Sequence, residues 1–179
     1  MRRRPRFPRH RLACASIGRT ARWNETNMAD DTRPPRIQDH YPEDFRHCFG
    51  CGASNDRGLH LACHLDHGAI VATFRPDLHL QGPSQALHGG ITAVLMDEVG
   101  SAAAFTELHR RHGIAPGEAE APFFVTANLN VDYFRGIPID APVTLRARPS
   151  RDDTNQRKVW VECDLLTDGE LAARGRMLF

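Results

Sequence analysis

A histidine, two glycines and an acid stand at spacings that suit acyl chemistry between residues 87 and 98. Gly89 and Gly90 lack a Cβ, so at the start of a helix they would leave backbone N–H groups open to a ligand. The helix dipole adds partial positive charge there, which favours an oxyanion formed from a carbonyl oxygen. Asp97 lies inside the same helix among apolar neighbours, where a carboxylate can serve as a base or a nucleophile.

The same residues also have an ordinary structural interpretation. Two consecutive glycines can form a tight turn, and His88 can be a simple loop residue. Asp97 can be a surface acid paired with an arginine. The residue types and spacing alone leave both interpretations open.

The distance between the two candidate groups constrains the catalytic interpretation. Gly89 and Asp97 are eight residues apart, which is about 12 Å along one helix axis. A carboxylate at that distance cannot act on a carbonyl held at the start of its own helix. We therefore expect the groups to meet across antiparallel helices of two chains, in a homodimer or a dimer of dimers with shared sites.

The elements that must position these residues are one helix and several strands. Residues 89–112 contain no proline, carry apolar side chains at helical spacing and end before Gly113, which predicts one long helix. Alternating or β-rich patterns predict strands at residues 59–65, 69–74, 122–134, 142–148, 159–166 and 171–179. One apolar helix against antiparallel strands predicts an α+β fold.

Charge and cysteine content limit the functional classes. Residues 1–22 hold eight arginines and no acid, whereas the chain from residue 28 carries 15 Lys/Arg against 21 Asp/Glu. The acidic balance argues against a nucleic-acid partner, and no apolar run is long enough for membrane insertion. Five cysteines, an odd number, favour a reducing, cytoplasmic location. We expect residues 1–45 to form a disordered tail or an extension and residues 46–179 to form the domain.

The pair Cys48 and Cys51 invites a zinc interpretation with His60, Cys63 and His64. On the predicted strand, however, Cys63 faces away from both histidines, and the chain has only one such cysteine pair. A thioredoxin-like redox role lacks the required βαβ context. We therefore expect no metal and no cofactor, with the cysteines acting as small buried hydrophobic residues.

Two motifs carry a resemblance to a known family. His88-Gly89-Gly90 followed by an acid nine residues after the histidine resembles the hotdog-fold thioesterase superfamily, particularly its phenylacetyl-CoA-thioesterase-like branch. The run Cys48-Phe-Gly-Cys-Gly is similar to the N-terminal signature of a subgroup that includes vertebrate acyl-CoA hydrolases of this superfamily. The resemblance covers roughly residues 46–179. It implies a hotdog fold, in which an antiparallel β-sheet wraps around one long central helix.

The resemblance also implies roles for individual residues. Asp97 would be the general base or nucleophile, the Gly89 N–H would polarise a thioester carbonyl, and His88 would orient that loop. Gly90 would lie beside the substrate. Thr126 falls where relatives place a hydroxyl that positions the attacking water. The implied activity is hydrolysis of an acyl-CoA in lipid or fatty acid metabolism, without a cofactor.

This sequence departs from the family pattern at one position. Some relatives hold the carbonyl with an asparagine six residues before the histidine, where this chain has Gly82 with Gln81 beside it. Whether Gln81 replaces that donor stays open. Glu98 is a rival for the carboxylate role, although one residue further along a helix it points about 100° away from Asp97. Arg135 is a candidate for contact with the phosphates of CoA.

Two other functions remain open at this point. The first is a non-catalytic module that binds acyl-CoA and regulates another process, because a fold does not fix a function. The second is a hotdog hydratase or dehydratase, although the sequence lacks the Asp/His arrangement of those enzymes.

Overall fold

The computed structural model describes residues 35–115, 124–150 and 157–179. Within these residues the chain forms one long α-helix, six β-strands and four short 3-10 helices. The helix is α1 (Gly89–His112), and the strands are β1 (His64–Asp66), β2 (Ala69–Phe74), β3 (Asn128–Tyr133), β4 (Val143–Pro149), β5 (Trp160–Thr167) and β6 (Glu170–Leu178). The 3-10 helices are Ile37–His40, Glu43–Phe45, Leu78–Leu80 and Pro83–Gln85.

The six strands form one sheet in the order β1-β2-β4-β5-β6-β3, and all neighbouring strands are antiparallel. The helix α1 packs along the sheet against β4, β5, β2 and β6. The core lies between them and joins helix residues such as Leu95 to strand residues such as Leu145 and Leu165. The predicted α+β layout, a single long helix on an antiparallel sheet as in the hotdog fold, is confirmed.

The predicted bounds of α1 are confirmed at both ends. Gly113 follows the helix with φ 65°, and its N–H donates to the Arg110 carbonyl. A left-handed residue at this position is typical of a helix end and favours glycine. Leu95, Met96 and Val99 are fully buried, so the apolar spacing seen in the sequence faces the sheet.

The first strand is shorter than predicted, because it begins at His64 and not at residue 59. The Leu59 N–H donates to the Phe49 carbonyl at 2.8 Å, and the Leu61 N–H donates to the Gly50 carbonyl at 2.9 Å. His60 has φ 51°, outside the range of a strand. The backbone at residues 59–61 therefore bonds to the loop at residues 49–50 and not to a strand, while Leu61 and Cys63 are buried in the core.

The later strands follow the prediction with shifts at their ends. The segment predicted at 122–134 forms a strand only at Asn128–Tyr133, and its residues 122 and 123 lie outside the described residues. Residues 151–156, between the strands predicted at 142–148 and 159–166, also lie outside them. Ile37 belongs to the segment predicted to be a tail, but it is buried in the core, and its N–H donates to the Cys63 carbonyl at 2.8 Å.

No helix among residues 35–115, 124–150 and 157–179 combines the length and apolar character of a membrane span.

Candidate active site

The start of α1 leaves one backbone donor open. The Gly90 N–H donates to His88 Nδ1 at 3.0 Å, and the N–H groups of Ile91 and Thr92 donate to the His88 carbonyl. An imidazole that accepts at Nδ1 carries its proton on Nε2 when neutral. The exposed Gly89 N–H has no hydrogen-bond partner within the described part of the chain. His88 therefore caps the helix while the Gly89 N–H remains available to an incoming oxygen.

Tyr133, at the end of β3, holds this helix start in place. Its hydroxyl donates to the Gly89 carbonyl at 2.8 Å. A Cβ added at Gly89 would lie 3.7–3.8 Å from the Tyr133 ring, so the ring packs directly beside the glycine. The sequence analysis assigned no role to Tyr133. An exposed aromatic residue ending a strand was the only available signal, and the spacing of residues does not reveal a contact across 44 positions.

The carboxylate of Asp97 is held by the hydroxyl predicted to accompany it. Thr126 Oγ1 donates to Asp97 Oδ1 at 2.8 Å, and Asp97 is half-buried. Burial raises the pKa of Asp97, while the hydrogen bond from Thr126 acts in the opposite direction. The structure thus brings together two of the residues that the sequence singled out, 29 positions apart.

The neighbouring acid, Glu98, faces a different part of the chain. Its Oε1 lies 3.0 Å from Cys48 Sγ, in the loop that precedes β1. Burial raises the pKa of Glu98 to about 8. Asp97 and Glu98 therefore point to different surroundings, as their positions on a helix predict. Only Asp97 lies beside Thr126.

Gln81 and Gly82 lie in a closed loop against His88. Gln81 forms an isolated β-bridge with Leu87, and the Gly82 N–H donates to the Ala86 carbonyl at 2.7 Å. A Cβ added at Gly82 would lie 3.1 Å from the His88 Cα. The loop therefore fixes the residue that caps α1, and both predicted positions lie near the Gly89 N–H.

Arg135 is exposed and forms an ion pair with Glu170. It follows Tyr133 by two residues, so its backbone leaves β3 close to the strand end that contacts Gly89. An exposed ion pair of this kind contributes little to stability. Arg135 therefore remains a candidate for a phosphate contact.

The matches with known proteins agree with this geometry. The model of the thioesterase superfamily matches residues 85–165, which include the start of α1, Asp97 and Thr126. A solved thioesterase superfamily protein from Shewanella loihica PV-4 is 29% identical, with a TM-score of 0.55 over 79% of this chain and 95% of that chain.

Residues 85–165 of this chain thus match the thioesterase superfamily.

Two further relatives are informative. Another solved structure, also of a thioesterase superfamily protein, is 28% identical with a TM-score of 0.59 and covers 75% of this chain and 63% of that chain. The acyl-coenzyme A thioesterase THEM4 of Rattus norvegicus is 33% identical over 101 residues, or 56% of this chain. That match spans 37% of the rat protein, so little more than a third of the relative's length is shared.

The chain thus carries two candidate half-sites on one scaffold. One half is the Gly89 N–H, fixed by His88 and Tyr133, which suits a developing oxyanion. The other half is Asp97 with Thr126, which suits a water molecule that must lose a proton. Gly89 and Asp97, one from each half, lie on α1 and are eight residues apart, which is about 12 Å along the axis.

Proposed function

We propose that this chain hydrolyses acyl-CoA thioesters to a free acid and CoA. The observation that carries the proposal is the Asp97 carboxylate bound to the Thr126 hydroxyl, on the same helix as the unpartnered Gly89 N–H. The match of residues 85–165 to the thioesterase superfamily supports the type of reaction. The match to the rat acyl-coenzyme A thioesterase supports CoA as the thiol.

The two half-sites require a second copy of the chain. A base about 12 Å along the helix from an oxyanion donor cannot serve the same carbonyl in one copy. The strand β3 is an edge of the sheet, and an unpaired edge is a ready surface for pairing with another strand. Leu129, Tyr133 and Phe134 on or beside this edge are 37%, 52% and 57% exposed. We infer that two copies pair through β3.

Antiparallel pairing about a two-fold axis joins the half-sites in the required way. Such pairing sets the start of each β3 against the end of the other. Thr126 precedes the start of β3 and Tyr133 forms its end. The Asp97–Thr126 pair of one copy therefore faces the Tyr133–Gly89 pair of the other, and a dimer contains two such sites.

The reaction then follows from the roles of these atoms. The thioester carbonyl oxygen accepts a hydrogen bond from the Gly89 N–H of one copy. Asp97 of the second copy takes a proton from a water molecule, which donates its other hydrogen to a lone pair of Thr126 Oγ1. The water oxygen bonds to the carbonyl carbon, and collapse of the oxyanion breaks the C–S bond. The CoA thiolate leaves and receives the proton held by Asp97.

Direct attack by the Asp97 carboxylate is the competing route for the same residues, through a mixed anhydride. A single turnover in ¹⁸O-labelled water identifies the anhydride route when water then adds at the Asp97 carboxyl carbon. Attack by water puts the label into the released acid and none into the protein. Attack by Asp97, with water then adding at the carboxylate carbon, puts the label into Asp97.

We propose Arg135 as the contact for the phosphates of the CoA group. Arg135 would exchange its surface ion pair with Glu170 for the CoA phosphates, which match a guanidinium group.

The cysteines in the described residues are all free thiols, namely Cys48, Cys51, Cys63 and Cys163. Free thiols are typical of a reducing compartment, and we place the enzyme in the cytoplasm on this basis.

Release of free thiol from a panel of acyl-CoAs tests the proposed function. The panel should contain short, medium and long aliphatic acyl groups and an aromatic one, each with the purified full-length chain. We expect thiol release that is linear in protein concentration and saturates with substrate. A matched enoyl-CoA, followed by loss of its double bond, monitors hydration in the same samples.

Two results would reject the proposal. Binding of acyl-CoA with no thiol release on any substrate would assign the chain to the non-catalytic binding class. Hydration of the enoyl-CoA without thiol release would assign it to the hydratase class.

A further inference from the structure

Three ionisable side chains converge beside α1, outside the proposed catalytic pair. Cys48 Sγ, Cys51 Sγ and a carboxylate oxygen of Glu98 all lie within 4.8 Å of one another. Cys48 Sγ and Glu98 Oε1 are 3.0 Å apart. Cys51 is 5% exposed, whereas Cys48 and Glu98 are half-buried, so the cluster is reachable from solvent on one side.

The loop at residues 46–52 is built to close on Glu98. The Gly52 N–H donates to the Cys48 carbonyl at 3.0 Å, which forms a single helical turn. Residues three apart on such a turn lie on one side, so both sulfurs face the same way. A Cβ added at Gly50 would lie only 2.2 Å from the Glu98 side chain, so only a glycine allows this approach.

The cluster brings together three acidic groups without an opposing cation. None of the ion pairs formed by the described residues involves Glu98. Thiols and carboxylic acids are either neutral or negative, so the cluster has no positive charge of its own. Partly buried negative charge is costly unless a cation or hydrogen bonds compensate it.

We propose that Cys48, Cys51 and Glu98 bind a zinc ion. Two thiolates and one carboxylate form a ligand set that favours Zn²⁺ over Mg²⁺ or Ca²⁺, since soft sulfur ligands select softer metals. The fourth position of the tetrahedron is filled by water from the side where Cys48 is exposed. This set differs from the one considered from sequence, because among the described residues His60, Cys63 and His64 lie outside the cluster.

The position of the site gives the metal a structural consequence. Glu98 directly follows Asp97 on α1, and the two cysteines belong to the loop that precedes β1. A zinc ion would therefore clamp this loop to the part of α1 that carries the proposed base. Binding of the ion does not depend on the proposed thioesterase activity, and it is measured without any substrate.

Metal titration of the intact chain tests the site. The full-length protein is purified with a phosphine reductant, stripped with a chelator and titrated with Zn²⁺ against a chromophoric chelator. A parallel titration with Co²⁺ reports thiolate ligands through the sulfur-to-cobalt charge-transfer band. We expect one ion per chain, a charge-transfer band of two thiolates and a higher melting temperature with Zn²⁺.

Three variants assign the ligands, and a fourth serves as the control. Loss of a residue that only supports a metal ligand costs about 10–100-fold in metal affinity. Since the two cysteines would bind the ion directly, we expect Cys48→Ser and Cys51→Ser each to lower the affinity for Zn²⁺ on the order of a hundredfold. We expect Glu98→Gln to lose at least about tenfold by the same reasoning. The control is Cys163→Ala, a buried cysteine on β5 outside the cluster, which should bind Zn²⁺ as the parent does.

Two results would overturn the assignment. One is a reduced and folded parent chain that takes up no Zn²⁺ and gives no charge-transfer band with Co²⁺. The other is an affinity for Zn²⁺ that is the same in Cys51→Ser as in the parent. The first result needs no variant, so it stands even if a cysteine variant fails to fold.

Discussion

Replacement of Asp97 with asparagine is expected to lower kcat for acyl-CoA hydrolysis about a thousandfold, within the range that general-base catalysis contributes. Asparagine has nearly the same shape, and its amide oxygen still accepts the hydrogen bond that Thr126 donates to Asp97 Oδ1. The substitution removes only the group that accepts a proton from water. Steady-state thiol release, with circular dichroism to verify the fold, measures the effect.

The control for this substitution is the same chemical change at an exposed turn. Asp168 lies in the hairpin turn between β5 and β6 with φ 52°, a conformation that asparagine tolerates well. We expect Asp168→Asn to retain the kcat of the parent. An Asp97→Asn enzyme with unchanged kcat would remove Asp97 from the reaction.

Replacement of Gly89 with proline is expected to lower kcat by about 10²–10³-fold, the effect of losing one oxyanion donor. Proline removes the N–H and suits the first position of a helix. His88 has φ −62° and ψ 131°, which is the extended conformation that a residue before proline prefers. The fold should therefore accept the change while the proposed oxyanion donor is lost.

The matched control is Gly89→Ala, which keeps the N–H. Its Cβ would lie 3.7 Å from the Tyr133 ring, an ordinary van der Waals contact. We expect this variant to lose less than about tenfold in kcat, since the donor that stabilises the oxyanion remains. Equal losses in the alanine and proline variants would indicate that bulk at this position matters and the N–H does not.

The helix was predictable from sequence because its signals are local. A proline-free apolar repeat lies within α1, and directly after it stands the glycine at position 113, which adopts the left-handed conformation. Interior spacing and end signals therefore agree on the same bounds. The approach of Asp97 to Thr126 came from the family resemblance, since a hydrogen bond across 29 positions leaves no mark in either segment.

The parts that sequence reasoning missed depend on long-range packing. Residues 59–63 alternate like a strand, but their backbone groups bond to residues 49–50 and the N-terminal segment. Glu98 was considered as a rival base, whereas it meets Cys48 across 50 positions. Tyr133 contacts Gly89 only because β3 runs beside α1. Each contact is set by how the elements pack, which residue spacing does not encode.

Mixing two inactive variants tests most directly whether each site is shared between two chains. Asp97→Asn and Gly89→Pro chains are unfolded together and refolded in equal amounts, and thiol release is measured. In a mixed dimer with shared sites, one site carries both defects and the other carries neither. Half of the dimers are mixed at random, so activity should return to about a quarter of the parent value. No recovery in a preparation shown by mass spectrometry to contain mixed dimers would contradict the shared site.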